Sequence, residues 1–182
     1  SALLDDYSTE ELNRCIEGAY GTQWDTKTIT PVSAIGDDWL LELFHGPTSA
    51  FKDVALQMLP RLMSVAREDT NAVGTNGQNI MIVTATSGDT GKAALEGFKG
   101  VPGMGITVFY PEGKVSDIQR LQMVTQKGSN VAVCAVNGNF DDAQNAAKAI
   151  FANKKLAQEL ASKNTVLSSA NSINIGRLAP QV

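Results

Sequence analysis

The sequence predicts an α/β protein with a doubly wound, mostly parallel sheet flanked by helices. From residue 79 onward, extended and helical patterns alternate, as they do in right-handed strand–helix–strand units. The segment 80–84 is a continuous run of apolar and β-branched residues, which is typical of a strand buried on both faces of a parallel sheet. In such sheets ligands bind at the carboxyl ends of the strands, so we expect functional residues there.

The first part of the chain predicts two helices separated by extended segments. In order, these elements are a helix over residues 9–20, extended segments over 28–32 and 39–44, and a helix over 51–66. Ser8 or Thr9 is the expected cap of the first helix. The second helix has apolar residues at the i, i+3, i+4, i+7 spacing, and Pro60 inside it should kink or shorten it.

The remaining chain predicts the parallel sheet itself. Strands are expected over residues 80–84, 105–110, 130–136 and 165–168, and helices over 90–98 and 115–126, with one helix or two over 140–160. No clear element is predicted at the carboxyl end. We expect residues 1–45 to belong to a truncated larger domain and residues 46–182 to form the α/β domain. Both ends of the sequence look cut rather than natural.

Composition excludes several classes of protein. The 182 residues are 43% hydrophobic and carry a net charge of -4, which argues against a disordered chain and against a nucleic-acid binder. Apolar runs are too short to cross a bilayer, and no signal peptide is visible, so we expect a cytoplasmic protein without a membrane partner. Cys15 and Cys134 form no motif, and His45 is the only histidine, so no metal site is expected.

Lys52 is the first candidate for chemistry. It follows a Gly46-Pro47 turn and should lie in the first turn of a helix that begins near Ala50, among apolar neighbours. Partial burial and the positive end of the helix dipole would lower its pKa, which makes an amine that can form a Schiff base with an aldehyde. Alternatively, Lys52 is an ordinary surface lysine beside Asp53.

Two further segments have the composition of anion sites. Residues 84–92 place four hydroxyls and two glycines between a strand and a helix, where free amide groups favour a carboxylate or a phosphate. Ala93 replaces the Mg²⁺-binding hydroxyl of a nucleotide-binding P-loop, so a nucleotide triphosphatase is not expected. Residues 171–177 combine amides, a hydroxyl and Arg177, which could grip a phosphate. An ordinary capped turn and an ordinary polar loop remain open as the alternatives.

Taken in order, these segments resemble threonine synthase, a fold-type II enzyme family that uses pyridoxal 5′-phosphate (PLP). The resemblance rests on HGPTSAFKD at 45–53, TSGDTGKAA at 86–94, YPEGKVSDIQRLQM at 110–123, FDDAQ at 140–144 and NSINIGR at 171–177. It spans almost the whole chain, whereas the chain spans less than half of a family member. The family's loop for the PLP phosphate lies downstream of the last motif, so we expect the chain alone to be inactive.

The resemblance implies a reaction and assigns residues to it. O-phospho-L-homoserine and water would give L-threonine and phosphate, with PLP as the cofactor and electron sink. Lys52 would hold PLP as a Schiff base and transfer protons, and Asp89 would lie beside the cofactor's ring oxygen. The implied substrate contacts are Thr86, Ser87 and Thr90 for the α-carboxylate, and Asn171, Ser172 and Arg177 for the phosphate.

Two alternatives to this function remain. One is another PLP lyase of the same fold, such as a threonine dehydratase, which has no need of a residue like Arg177 to grip a substrate phosphate. The other is a small-molecule-binding α/β module without catalysis, in which Lys52 is solvated. The oligomeric state is not predicted.

Overall fold

The computed structural model describes residues 6–68, 77–171 and 174–181. The helices are α1 Thr9–Ala19, α2 Asp53–Glu68, α3 Asp89–Phe98, α4 Asp117–Val124, α5 Phe140–Ala152, α6 Lys154–Ser162 and α7 Ile175–Leu178, the last followed by a 3₁₀ turn over Ala179–Gln181. The strands are β1 Val32–Ile35, β2 Asp38–Leu41, β3 Asn79–Ala85, β4 Met104–Pro111, β5 Val131–Val136 and β6 Thr165–Ser168. In the described part of the chain, no helix is both long and apolar enough to cross a membrane.

Four parallel strands form the main sheet, in the order β5-β4-β3-β6. The chain moves outward from β3 through β4 to β5 and then returns to place β6 on the other side of β3. The predicted doubly wound α/β fold is therefore confirmed. Its switch point lies between β3 and β6, because the connections that leave their carboxyl ends run in opposite directions.

The main core lies between this sheet and helices α2 and α3. Alternate residues of β4 are buried, and they pack with β3 and with Leu95 and Phe98 of α3. Leu56 and Leu59 of α2 cover α3 from the other side. Each large apolar side chain buried in this way contributes about 1.5–3 kcal/mol to folding.

Helices α2 and α3 approach closely at one point. A Cβ atom on Gly97 would collide with the carbonyl oxygen of Leu56. Leu56 is four residues before Pro60, whose ring nitrogen has no N–H to donate to that carbonyl. Pro60 was predicted to kink or shorten α2; it does not shorten the helix, which continues to Glu68. Pro60 instead leaves the Leu56 carbonyl facing α3, where only a glycine leaves room for it.

Helix α1 packs on α2 and forms a second, smaller core. Cys15 and Ala19 contact a row of apolar residues on α2. Ser8 is the N-cap, as predicted, and forms a reciprocal capping box with Glu11. Such a cap stabilises a helix by about 1 kcal/mol.

Strands β1 and β2 form a separate antiparallel hairpin with both faces exposed. The strand predicted over 39–44 is correct in type but ends earlier, at Leu41. Only the last residue of the predicted segment 28–32 is extended into β1. Pro31 precedes the strand and accepts a hydrogen bond from Glu42 through its carbonyl, so it closes the open end of the hairpin.

The other boundaries follow the prediction with two differences. The single or double helix over 140–160 is double, because Asn153 ends α5 and caps α6 with its side chain. The carboxyl end was predicted to carry no clear element, and this is wrong: α7 forms there, capped by Asn174. The predicted division of the chain into one part over residues 1–45 and a second over residues 46–182 stays a prediction.

Candidate active site

Three segments carry the predicted site residues. The lysine loop (residues 46–52) precedes α2, the anion loop (residues 86–91) follows β3, and the arginine segment (residues 169–178) follows β6. The last two leave the carboxyl ends of neighbouring strands on either side of the switch point. The charges of all three segments are close enough to interact.

The lysine loop is held by the buried carboxylate of Asp53. This carboxylate accepts hydrogen bonds from the amide of Thr48 at 2.8 Å and from the Thr48 hydroxyl at 2.7 Å. Gly46 lies against Asp53, where a Cβ would collide with its side chain, and Ser49 adopts a positive φ of 55. Burial raises the pKa of Asp53, although the hydrogen bonds from Thr48 oppose this.

Lys52 lies one position before the helix rather than in its first turn. The amide of Asp53 is bonded to the carbonyl of Ala50 in a turn that follows the positive φ of Ser49, and helix α2 begins at Asp53. The carbonyl of Lys52 accepts the first helical hydrogen bond, from Leu56 at 2.9 Å, so Lys52 holds the N-cap position.

The amine of Lys52 is half-buried, and its pKa is lowered, in the direction that the sequence predicted. Burial is the main cause, and the positive charge of Arg177 is the second, while the carboxylate of Asp89 opposes both. The ammonium group lies 4.3 Å from the ring centre of Phe51. A lowered pKa increases the fraction of neutral amine, which is the form that attacks a carbonyl.

Thr86 is placed differently from the expectation. It is 1% exposed, and its hydroxyl oxygen accepts hydrogen bonds from the amides of Gly88 and Gly91, each at 2.9 Å. Its own amide donates to the carbonyl of Phe109. This geometry supports Thr86 as the residue that folds the anion loop, and it does not support a direct contact with a substrate.

Two other hydroxyl residues of the anion loop are more accessible than Thr86. Ser87 is exposed, and Thr90 is half-buried in the first turn of α3. Gly88 has a φ of 145, which a residue with a side chain rarely adopts, and Gly91 packs so tightly that a Cβ would collide with Thr86. The two glycines therefore allow the loop to close tightly around the Thr86 hydroxyl, to which both donate their amides.

Asp89 is the acidic residue of this loop. Its Oδ1 accepts a hydrogen bond from Gln119 Nε2 at 2.9 Å and lies 3.3 Å from the ammonium group of Lys92. Burial opposes ionisation of Asp89, but the hydrogen bond from Gln119 and the charges of Lys92 and Lys52 outweigh burial and lower its pKa. Asp89 is therefore a carboxylate at neutral pH.

Arg177 is a buried cation in the arginine segment. It is 7% exposed, and its Nη1 donates to the carbonyl of Ala170 at 2.7 Å. Its Nε is buried without a hydrogen-bond partner, and within the described residues it forms no ion pair. Burial lowers its pKa. Asn171 is exposed nearby in the chain, and Ser172 lies outside the described residues.

The sequence analysis missed four residues that organise the site. Asp53 and Lys92 are buried charged residues; Asp53 follows Lys52 directly and Lys92 lies two residues after Thr90, and this proximity in sequence was a usable signal. Helix α4 contributes Gln119, which contacts the anion loop, and Gln122, whose Nε2 donates to the carbonyl of Thr48 at 3.3 Å. The i, i+3 spacing of these glutamines places both on one face of α4, but nothing in the sequence shows which loops they reach.

No protein-family model matches the chain. The chain is similar to the threonine synthase of Pseudomonas aeruginosa, with 39% identity over 173 residues that cover 94% of the chain and 34% of that relative. It is 41% identical over 179 residues to the threonine synthase of Saccharomyces cerevisiae, with the same two coverages. The chain thus spans about a third of the length of these curated relatives.

Solved structures agree with this similarity. The PLP-bound threonine synthase from Brucella melitensis has a TM-score of 0.80 and 39% identity, covering 94% of this chain and 35% of that one. The threonine synthase from yeast has a TM-score of 0.81 and 37% identity, covering 99% of this chain and 36% of that one. The fold and the family resemblance read from the motifs are both confirmed.

Proposed function

We propose, because this chain is homologous to one segment of the threonine synthases, that its protein converts O-phospho-L-homoserine and water to L-threonine and phosphate with PLP as cofactor. The observation that carries the proposal is the amine of Lys52. Its pKa is lowered by burial and by Arg177, and it lies at the start of α2 near the anion loop and the arginine segment.

The residues present fit PLP chemically. Lys52 supplies the amine that a carbonyl group requires, and Asp89 supplies a carboxylate within electrostatic reach of that amine. PLP, when bound, supplies an electron sink that stabilises negative charge on the neighbouring carbon atoms. We assign to Lys52 the attachment of the cofactor and to Asp89 the contact with its ring oxygen.

Lys52 would also transfer protons at its Nζ. Because its pKa is lowered, the amine of Lys52 releases a proton more readily than a lysine with the ordinary value. The backbone of Lys52 holds the N-cap position of α2, in the turn that Asp53 stabilises, so its side chain starts from a fixed position. Orientation of this kind can account for a large part of an enzyme's rate enhancement.

Arg177 would bind the phosphate of the substrate. A buried guanidinium without an anionic partner is costly, and a dianionic phosphate would satisfy it through two parallel hydrogen bonds. Asn171, exposed six residues earlier, would add a polar contact, and the same role for Ser172 stays a prediction.

The substrate's α-carboxylate would bind the exposed Ser87, the half-buried Thr90 and amides of the anion loop, with Thr86 holding that loop in shape.

Arg177 also distinguishes this proposal from the two alternatives. A dehydratase acting on an unphosphorylated amino acid gains nothing from a buried cation with an unpaired Nε. A binding module without catalysis requires no amine with a lowered pKa, and Lys52 is half-buried rather than solvated. A cytoplasmic location and the inactivity of the 182-residue chain by itself stay predictions.

The test is an assay of the full-length protein with PLP and O-phospho-L-homoserine. We expect equimolar release of phosphate and L-threonine, and we expect both to be lost in Lys52→Ala but kept in Lys127→Ala, which removes an exposed lysine. The same protein is offered L-threonine and L-serine. Formation of 2-oxo acids from these, without phosphate release from the phosphorylated substrate, would support the dehydratase instead.

A further inference from the structure

Lys92 is a second lysine beside the proposed active site. It lies in the first turns of α3, is 8% exposed, and its ammonium group is 3.3 Å from Oδ1 of Asp89. Its charge also reaches the fully buried carboxylate of Asp53, beyond ion-pair distance. The two carboxylates belong to different parts of the site: Asp89 to the anion loop, and Asp53 to the turn that carries Lys52.

We propose that Lys92 is a positioning residue, whose buried ammonium group serves as the counter-ion of Asp89 and thereby leaves Lys52 as the amine that reacts with a carbonyl. The inference rests on the proposed function, since it concerns which of two neighbouring lysines performs the chemistry.

Burial and ion pairing determine which of the two amines, that of Lys52 or that of Lys92, can react with a carbonyl. A buried ammonium group is stable only when an anion compensates the loss of water, and Asp89 provides that anion for Lys92. For Lys52, burial and then the positive charge of Arg177 disfavour the ammonium form, and the more distant charge of Asp89 opposes them. Lys92 is engaged by a carboxylate, whereas Lys52 forms no ion pair within the described residues and its lowered pKa favours the neutral amine that attacks a carbonyl.

The pair also fixes the charge of Asp89. The groups that face Asp89 are Lys92 from its own helix, Gln119 from α4 and Lys52 from the lysine loop. Gln119 and Lys92 share the same carboxylate oxygen, Oδ1, so the second oxygen is left for other contacts. Without Lys92, burial would push Asp89 toward its neutral form, which changes the charge that any ligand and Lys52 meet.

The experiment has one arm that does not depend on catalysis. The carboxyl group of Asp89 is titrated by NMR in the wild-type protein, in Lys92→Met and in Lys99→Met. Lys99 forms the matched control, since it also pairs with a carboxylate three residues earlier, Glu96, but at the far end of α3. We expect Lys92→Met to raise the pKa of Asp89 by about one unit or more, and Lys99→Met to leave it unchanged.

Several results would overturn the inference. One is a pKa of Asp89 that is insensitive to Lys92→Met, and another is an Asp89 that titrates at or above the ordinary value in the wild-type protein. If Lys92→Met does not fold, Lys92→Gln takes its place, because it keeps a hydrogen-bond donor while removing the charge.

The second arm identifies the reactive amine directly. The wild-type protein is incubated with PLP, reduced with borohydride and digested, and the labelled peptide is identified by mass spectrometry. Label on Lys52 and none on Lys92 supports the inference, and label on Lys92 overturns it. Label on neither lysine contradicts the proposed function, and the titration of Asp89 then decides the counter-ion role by itself.

Discussion

Asp53 closes the turn that carries Lys52 by accepting two hydrogen bonds from Thr48, one from its amide and one from its hydroxyl. Both acceptor oxygens of a fully buried carboxylate are thus used within five residues of chain. The residue next to the proposed reactive lysine therefore has a structural role, and the position of Nζ depends on it.

Replacement of Asp53 by asparagine should destabilise the protein. An amide has one acceptor oxygen, so Asp53→Asn leaves one donor of Thr48 unpaired in a buried place, at a cost of about 1–3 kcal/mol. Urea unfolding measures this loss. Asp37→Asn, an exposed residue in the turn of the hairpin, is the control and should change stability little. Equal stabilities of the two variants would show that the turn does not depend on Asp53.

Replacement of Lys52 should abolish covalent attachment of PLP and turnover together. Lys52→Ala removes the amine that forms the bond and transfers the protons, so we expect the rate to fall by several orders of magnitude. The visible absorbance of the imine and the release of phosphate are the two measurements. Near-normal turnover in this variant would exclude Lys52 as the catalytic residue.

Loss of Arg177 should affect the phosphorylated substrate more than the cofactor. Truncation of a buried cation that binds a dianion costs about 2–5 kcal/mol, so Arg177→Ala should weaken binding of O-phospho-L-homoserine strongly while PLP uptake is largely kept. Calorimetry with each ligand separates the two effects. The reverse pattern, PLP lost and substrate retained, would mean that Arg177 serves the other phosphate.

Arg177 should also shift the pH dependence of Lys52. Its positive charge lowers the pKa of Lys52, so Arg177→Met should raise that pKa and require a higher pH for the same fraction of neutral amine. The pH profile of borohydride-trapped PLP should therefore move to higher pH. Arg14→Met, at an exposed position on α1, should leave the profile in place. A shift to lower pH would contradict the electrostatic coupling.

A methyl group at Gly97 should separate α2 from α3. The Cβ of Gly97→Ala would collide with the Leu56 carbonyl, and the strain, about 1–3 kcal/mol, should exceed the helix propensity gained, about 1 kcal/mol. Gly18→Ala in α1 is the control, because its Cβ would meet only the movable end of Arg61. Thermal unfolding should show a loss for Gly97→Ala and none for Gly18→Ala.

The sheet could be predicted because its signal is local. The apolar run over 80–84 and the alternation of elements depend on neighbouring residues only, so a parallel sheet could be predicted without knowledge of contacts, whereas the order of its strands was not predicted. The start of α2 could not be predicted, because the hydrophobic period extends back to Phe51, whereas the chain forms a turn between Ala50 and Asp53 before the helix begins.

The sequence indicated which residues belong to the site, but it did not show what each of them contacts. Lys52 and Arg177 are 125 positions apart, and only the folded chain shows that one charge acts on the other. Thr86 has the same hydroxyl as its neighbours in the anion loop, yet it faces inward and binds the loop's own amides. The packing of the loop against β4 determines that the Thr86 hydroxyl faces inward. That orientation cannot be predicted from the sequence of the loop alone.

The two tryptophans of the chain are a pair of optical reporters, and one of them lies on the exposed hairpin. The chain has two tryptophans: Trp39, on β2, is 75% exposed, and Trp24 is 6% exposed, with its indole N–H bonded to the Ala19 carbonyl. Iodide should therefore quench Trp39 and spare Trp24. The emission that iodide does not quench, from Trp24, reports on the packing around α1. The emission that iodide quenches, from Trp39, reports on any molecule that covers the hairpin. One fluorescence titration therefore distinguishes unfolding of the protein from its association with a partner.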